Sequence, residues 1–227
     1  ESMPPGRDQP ALASRQPPRP AGHTMILIQM HGHPGSGKST FARALGRALP
    51  AVVLDKDIIH SKLMEGGIDH GSAAAPTHLA LRSLAEDILA QGHSVILDNP
   101  CFWPIIEEQG RLLAERVGVP WAMIECQCPD EDVRVWRLGT RKPLPSQPRD
   151  ARILNRPGQY IPTCDRLILD TTRPIEENLP IALHYLAACD SGIPLYHPQM
   201  VRRPEGEDTP TESQQPIANS LIRGAAQ

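Results

Sequence analysis

Nine consecutive residues carry the clearest chemistry. Gly32-His33-Pro34-Gly35-Ser36-Gly37-Lys38-Ser39-Thr40 fit the spacing G-x-x-x-x-G-K-[ST] and follow the apolar run Met25 to Met30. Glycines at those positions let a loop turn its backbone N–H groups round a phosphate, and a helix starting near Lys38 points the positive end of its dipole at the same oxygens. The nucleotide-binding set is therefore Gly35, Ser36, Gly37, Lys38, Ser39 and Thr40. Lys38 is placed to reach the β and γ phosphates, and the Ser39 hydroxyl is a hard oxygen ligand for Mg²⁺.

Two further groups of residues have uses beside such a loop. Asp55-Lys56-Asp57 and Asp98-Asn99-Pro100 each end a short apolar run. One acid would orient or deprotonate an acceptor hydroxyl, and the other would join the metal shell. Asp57 is read as the base, with Asp55 as the alternative, and Asp98 as the metal-shell acid because Val95-Ile96-Leu97-Asp98 has the form of a Walker B strand. The plainer reading of Asp57 is the N-cap of a helix over 58–65, and that of Asp98 is a strand-end cap. Carboxylates this close would raise the pKa of one of them. The third group is Arg134, Arg137 and Arg141, one stripe of a predicted helix that the Pro-rich segment 143–148 ends in a mobile connection. That arrangement predicts a lid over about 130–158, with Arg137 and Arg141 neutralising charge during phosphoryl transfer. A solvated face paired with Asp130 and Asp132 is the alternative.

These groups need a scaffold that brings them to one edge. Apolar runs at 25–30, 51–54, 94–98, 119–124 and 166–169 alternate with helical periodicity, clearest at 77–91, where Leu81, Leu84, Ala85, Ile88 and Leu89 repeat at helical spacing. The pattern predicts an α/β fold with a five-stranded parallel sheet and helices on both faces. In such sheets ligands sit at the carboxyl ends of the strands, where the loop and the acids fall. Pro180 should kink or restart the last helix after Pro174.

Composition narrows the class. With 227 residues and 40% hydrophobic content, one core and a single domain over 24–197 are expected. Net charge is −3, so there is no global electrostatic footprint for nucleic acid or an anionic membrane. The five cysteines (Cys101, Cys126, Cys128, Cys164, Cys189) are odd in number and form no C-x-x-C pair, which argues against a disulfide framework or zinc site and for a reducing cytoplasm. No apolar run reaches membrane-spanning length, and no signal-peptide region is visible. Residues 1–23 and 198–227 read as disordered tails, with a short docking helix at 217–223 as one option. Glu1-Ser2 ahead of Met3 reads as a cloning remnant.

Taken in order, Gly32 to Thr40, Asp57 three before His60, Val95 to Asp98, Arg137-Leu138-Gly139-Thr140-Arg141 and Leu169-Asp170-Thr171-Thr172-Arg173-Pro174 resemble the small P-loop kinases that include zeta toxins, chloramphenicol phosphotransferase, gluconate kinase and the kinase domain of polynucleotide kinase. The resemblance covers about 25–188. It implies ATP-dependent transfer of the γ-phosphoryl group to a hydroxyl, with Lys38 and Ser39 on phosphate and metal, Asp57 as base, and Arg137 and Arg141 as lid arginines. It also implies that the segment Asp170 to Pro174 lines the adenine pocket, with Thr172 and Arg173 as nucleotide-binding residues. Polynucleotide kinases carry arginine where this chain has His60, which argues against a nucleic-acid 5′ end as acceptor. His60 then binds a different acceptor or faces solvent.

The acceptor side draws on the Gly/Ala-rich stretch 65–76 and on Asn99, Cys101, Phe102 and Trp103, with Phe102 and Trp103 as a stacking pair or as plain packing. With only 4% aromatics, stacking along a single strand is disfavoured. The reading is an ATP- and Mg²⁺-dependent kinase of a small hydroxylated metabolite or antibiotic. Its alternatives are a 5′-hydroxyl or nucleotide-sugar kinase of toxin type, and a nucleotide-gated binding module. ATP is the donor expected, and GTP stays open as the alternative although no Asn-Lys-x-Asp guanine signature appears.

Overall fold

The computed structural model describes residues 25–100, 102–147, 160–191 and 199–201. Cys101, segment 148–158 of the expected lid and the 217–223 helix lie outside those residues. The chain runs β1 (Leu27–His31), α1 (Lys38–Ala48), β2 (Val52–Asp55), α2 (Lys56–Glu65), α3 (His70–Ala90), β3 (Val95–Asp98), α4 (Pro104–Val117), β4 (Trp121–Gln127), α5 (Glu131–Thr140), β5 (Arg166–Asp170), α6 (Ile175–Ser191) and β6 (Met200–Val201).

The strands order as β2-β3-β1-β4-β5-β6. The five expected strands are parallel, and a two-residue sixth pairs antiparallel with β5. Met200 and Val201 thus belong to the sheet and not to the C-terminal tail expected from 198. Their pairing, Arg166 with Val201 and Leu167 with Met200, is too short to leave a periodic signal in the sequence.

Central β1 is buried throughout, as a parallel strand covered on both faces must be. Alternation sends Ile28 and Met30 to the face covered by α1 and α6, where Phe41, Leu45, Tyr185 and Leu186 meet them. Leu27 goes to the other face, against Leu81, Ala85 and Leu89 of α3 and Leu113 of α4. Leu84, counted in the predicted apolar stripe of α3, is 46% exposed.

Helix α3 is longer than its periodicity announces. Asp69 caps it by accepting from the N–H groups of Gly71 and Ser72 at 3.0 and 3.1 Å, so the Gly/Ala-rich stretch becomes helix from His70. Pro180 does not restart α6, which runs continuously through it. Pro174 stands just before that helix, its carbonyl accepting from Glu177 at 3.2 Å.

Strand register sets the positions of two acids. Asp55 pairs with Asp98 at the ends of β2 and β3, so both carboxylates reach the sheet edge where β1 enters the glycine-rich loop.

Candidate active site

The loop between β1 and α1 is closed by the Ser36 N–H donating to the His33 carbonyl at 3.0 Å. Two glycines are required by geometry. A Cβ on Gly32 would lie 2.4 Å from the Cys126 carbonyl oxygen, and Gly37, at φ 80°, is the N-cap of α1 in the left-handed region. That cap offers no side-chain acceptor to the first amides of α1, which stay available to an anion.

Lys38 donates to Asp98 Oδ1 at 2.9 Å, with side chains only 13% and 1% exposed. Burial pushes the ammonium pKa down, but the bonded Asp98, with Asp57 and Asp55 beyond it, holds it above the ordinary lysine value. The second oxygen, Asp98 Oδ2, is buried and has no hydrogen-bond partner. So is Ser36 Oγ. A buried carboxylate oxygen left unmatched beside a phosphate loop suits a hard cation, and Ser39 stands next in the chain to supply the hydroxyl. Among the described residues no cluster of three or more His, Cys, Asp or Glu is placed to hold a metal alone. An Mg²⁺ ion bound through one or two protein oxygens, substrate phosphates and water needs no such cluster.

A cavity of about 880 Å³ opens over this loop. Lys38, Ser39 and Thr40 line one wall, Asp55 and Asp57 another, Arg137 and Arg141 a third, and Thr171, Thr172 and Arg173 the far end. Arg137 donates to the Thr171 hydroxyl and carbonyl at 3.1 and 2.7 Å, and Thr171 Oγ1 lies 2.6 Å from the Ser36 carbonyl. Thr171 therefore ties α5 to the phosphate loop, a role not foreseen from its sequence. Its place within the segment Asp170 to Pro174 expected at the adenine pocket was the signal for it. Arg173 is bonded to Glu177 by two nitrogens, at 3.0 and 2.6 Å.

The two acids after β2 divide the work. Asp55, not Asp57, is the N-cap of α2: its Oδ1 accepts the Asp57 N–H and its Oδ2 accepts from Arg43, both at 2.9 Å. Burial and the neighbouring Asp98 and Asp57 push its carboxyl pKa up. Asp57 keeps its carboxylate for the cavity. Burial would raise its pKa, yet Lys56 at 2.8 Å, a bond from Gln147 at 2.9 Å and the more distant Lys38 hold it below the ordinary range. The expected split of two close carboxylates is present, with Asp55 as the raised member.

Several expectations are corrected. Arg134 does not share the stripe of Arg137 and Arg141. It lies over Gly35 of the loop and lines a separate cavity of about 440 Å³ with His33, Glu125 and Arg166, while Arg141, just beyond α5, is in extended backbone. Leu144 to Gln147 do not form a loose connection but a turn bonded to α2. His60 neither faces solvent nor lines the main cavity: it is 3% exposed, its Nε2 meets the His70 carbonyl at 3.1 Å and its ring lies 4.6 Å from that of His70. Asn99, Phe102 and Trp103 do not line the main cavity either. Asn99 is buried, Phe102 packs its ring on His31 and His33, and Trp103 begins α4 and packs against the cluster of Ile106 and Met123. The two aromatic residues after β3 are thus engaged by neighbouring side chains, Phe102 by the histidines of β1 and the loop and Trp103 by a core cluster.

A parallel sheet of this order, with a glycine-rich loop feeding a helix and an acid at the end of the adjacent strand, defines a P-loop nucleotide-binding protein. A family model described as an AAA domain matches residues 27–150, and the chain belongs to that family. It is similar to an uncharacterized protein of Mycobacterium tuberculosis, strain H37Rv, and to its counterpart in Mycobacterium bovis, each 31% identical over 118 residues. Those matches cover 46% of this chain and 23% of the relatives, so the likeness spans about a quarter of their length. Among solved structures, it resembles an APS kinase of M. tuberculosis in complex with AMPPNP and APS at 23% identity and TM-score 0.54, covering 72% of this chain and 98% of that one. A sugar kinase from Janibacter sp. HTCC2649 is similar at 18% identity and TM-score 0.52, with coverage of 76% and 100%. These likenesses show that the fold is that of small P-loop kinases. No helix among the described residues is long and apolar enough to cross a membrane.

Proposed function

We propose that this chain is an ATP- and Mg²⁺-dependent phosphotransferase, acting in the cytoplasm, that moves the γ-phosphoryl group of ATP to a hydroxyl of a small metabolite or antibiotic. One observation carries the reading. A single cavity has a phosphate loop with Lys38, which is paired to the buried Asp98, on one side and the Asp57 carboxylate, held in its ionised form, on the other, with Arg137 and Arg141 beside both. Pure nucleotide binding requires the first wall and has no use for the second.

The roles follow from placement. Backbone amides of the loop and of the first turn of α1 hold the β and γ phosphates, and Lys38 adds its charge there. Bound through Ser39 and Asp98, Mg²⁺ would neutralise charge on the phosphate oxygens. Arg137, fixed on Thr171, and Arg141 offset the charge that spreads on the transferring group. Asp57 accepts a hydrogen bond from the acceptor hydroxyl and takes its proton at a carboxylate oxygen as the oxygen attacks phosphorus. A pKa below the usual range makes Asp57 chiefly an orienting group in the ground state, with proton transfer late. Thr172 and Arg173 flank the nucleoside end.

The reading is tested by acceptor-dependent ATP consumption in Asp57→Asn beside the wild type. Loss of transfer with unchanged nucleotide affinity supports it, and unchanged transfer removes Asp57 as the base.

A further inference from the structure

We propose that Gln147 is a positioning residue for the Asp57 carboxylate, and that the turn Leu144 to Gln147 is a strut holding the base and Arg141 in one frame. The proposal rests on the reading of Asp57 as the acceptor-side base. It assigns a role to a segment that the sequence marks only as proline-rich.

The strut is bonded at both its backbone and its side chains. Gln147 Nε2 donates to Asp57 Oδ2 at 2.9 Å, while its Oε1 accepts the Leu144 N–H at 3.2 Å. With the oxygen engaged on a backbone donor, the amide cannot flip without losing both bonds, so the NH₂ group is the end that faces the carboxylate. The Gln147 N–H closes the turn on the Leu144 carbonyl at 2.9 Å. One residue earlier, Ser146 Oγ donates to the backbone carbonyl of Asp57 itself at 3.1 Å, and the Ser146 N–H donates to Ser61 Oγ at 3.2 Å. Ser61 Oγ is also 2.9 Å from Ser146 Oγ, and these two serines are 1% and 7% exposed. The turn is thus seated on the first two turns of α2 through a buried polar junction, where each bond is costly to lose.

The arrangement leaves room for a substrate. An ionised carboxylate offers about four lone-pair directions. Lys56 at Oδ1 and Gln147 at Oδ2 engage two. That leaves about two for a ligand in the cavity that Asp57 and Gln147 both line. A neutral amide is suited to the task. It fixes the carboxylate rotamer without adding another cation to a wall that already has Lys56 and, further off, Lys38 and Arg141, with Asp55 and His60 as the remaining titratable neighbours. Arg141 and Lys142 line the same cavity and precede the turn by a few residues, so the segment that brings cationic side chains to the phosphates also aims the base. Correct placement of a reacting group within an ångström is worth up to about a hundredfold in rate.

The test compares Gln147→Ala with Ser146→Ala, both in the full chain, by two readouts. The first is kcat and KM for transfer from ATP across pH. The second is titration of the Asp57 carboxyl carbon by NMR in the nucleotide-free protein. Gln147→Ala is expected to lower kcat by about tenfold with KM for ATP nearly unchanged. Losing a hydrogen bond to the charged form also raises the Asp57 pKa, so the acidic limb of kcat moves to higher pH. Ser146→Ala keeps the amide donor and is expected to shift the titration less. An Asp57 titration in Gln147→Ala that coincides with wild type overturns the proposal. Equal effects of both substitutions on rate and titration also overturn it, reducing the turn to packing. If wild type phosphorylates no acceptor, the kinase reading fails while the carboxyl titration still decides the role of Gln147.

Discussion

The two halves of the cavity are built differently. The donor half is largely local: Gly32 to Thr40 supply the phosphate loop in one stretch of chain, and Asp98, Arg137 and the segment Thr171 to Arg173 add to it from elsewhere. The acceptor half is assembled from distant pieces, with Asp57 from α2, Arg141 beyond α5, and Gln147 reaching Asp57 across 90 residues of sequence. Backbone conformation dictates the first, so its residue types are constrained by sterics and its signature is contiguous. Side-chain partnership dictates the second. It leaves no spacing rule, and other chains of this fold are free to fill it differently.

If that division is right, damage to the donor half should be deep and independent of acceptor. Lys38→Ala is expected to reduce transfer by about a thousandfold with every acceptor, as loss of a central charge at a phosphoryl site does. It also strands the Asp98 carboxylate, 1% exposed, at a cost of about 3 kcal/mol. A thermal melt run beside the assay separates the two effects. An unshifted melting temperature would show that the pair contributes nothing to the fold. Asp57→Asn ranks next, with kcat about a hundredfold lower and ATP affinity intact by calorimetry. Loss of ATP affinity in that variant would erase the boundary between the halves.

Arg137 spans the boundary. Removing it breaks two bonds to Thr171, and Arg137→Ala is expected to lower kcat about tenfold and to weaken ATP binding modestly in the same titration. An effect on one parameter alone would assign the arginine to one half.

A further contrast concerns acid. The α2–α3 hairpin behind the acceptor wall holds His78, whose burial, with Lys56 and Arg82 nearby, lowers its pKa from 6.5 to about 4. In the unfolded chain this imidazole binds a proton from about pH 6.5 downward, while the folded chain resists until about pH 4. Stability from this group is therefore complete above that window and is lost as pH falls through it, up to about 3 kcal/mol. His78→Leu should flatten the decline of urea midpoints between those pH values, and an unchanged slope would place the acid sensitivity elsewhere. The smallest effect is reserved for the corner after β3. Phe102→Leu is expected to alter acceptor KM less than about threefold, because its ring packs on His31 and His33. A tenfold change would restore Phe102 to the acceptor site.

Legibility in the sequence divides along the same boundary. The strands, their parallel pairing and the loop were readable because burial on both faces writes continuous apolar runs, and phosphate binding writes glycines. The placement of Asp57 and Asp98 was readable because parallel strands deliver polar residues to one edge, and that of Arg137 and Arg141 because the sequence marks a helix ending near them. The capping role fell to Asp55 and not to Asp57 because α2 begins two residues earlier than its apolar pattern shows. His60 and Asn99 misled because a polar residue buried away from the cavity looks like a ligand in a sequence. Thr171, Lys56 and Gln147 were not legible, since each acts through a bond to a residue whose neighbourhood only the fold creates.

The central claim is tested most directly by transfer of labelled γ-phosphate from ATP with Mg²⁺. The panel comprises hydroxylated metabolites, aminoglycoside and nucleoside antibiotics, sugar nucleotides and 5′-hydroxyl oligonucleotides, with Lys38→Ala as the blank. The account predicts label in a small hydroxylated product, absent from the blank and suppressed in Asp57→Asn. Label confined to oligonucleotides or sugar nucleotides would contradict the small-molecule assignment, and tight ATP binding with no transfer to any class would contradict the kinase reading itself.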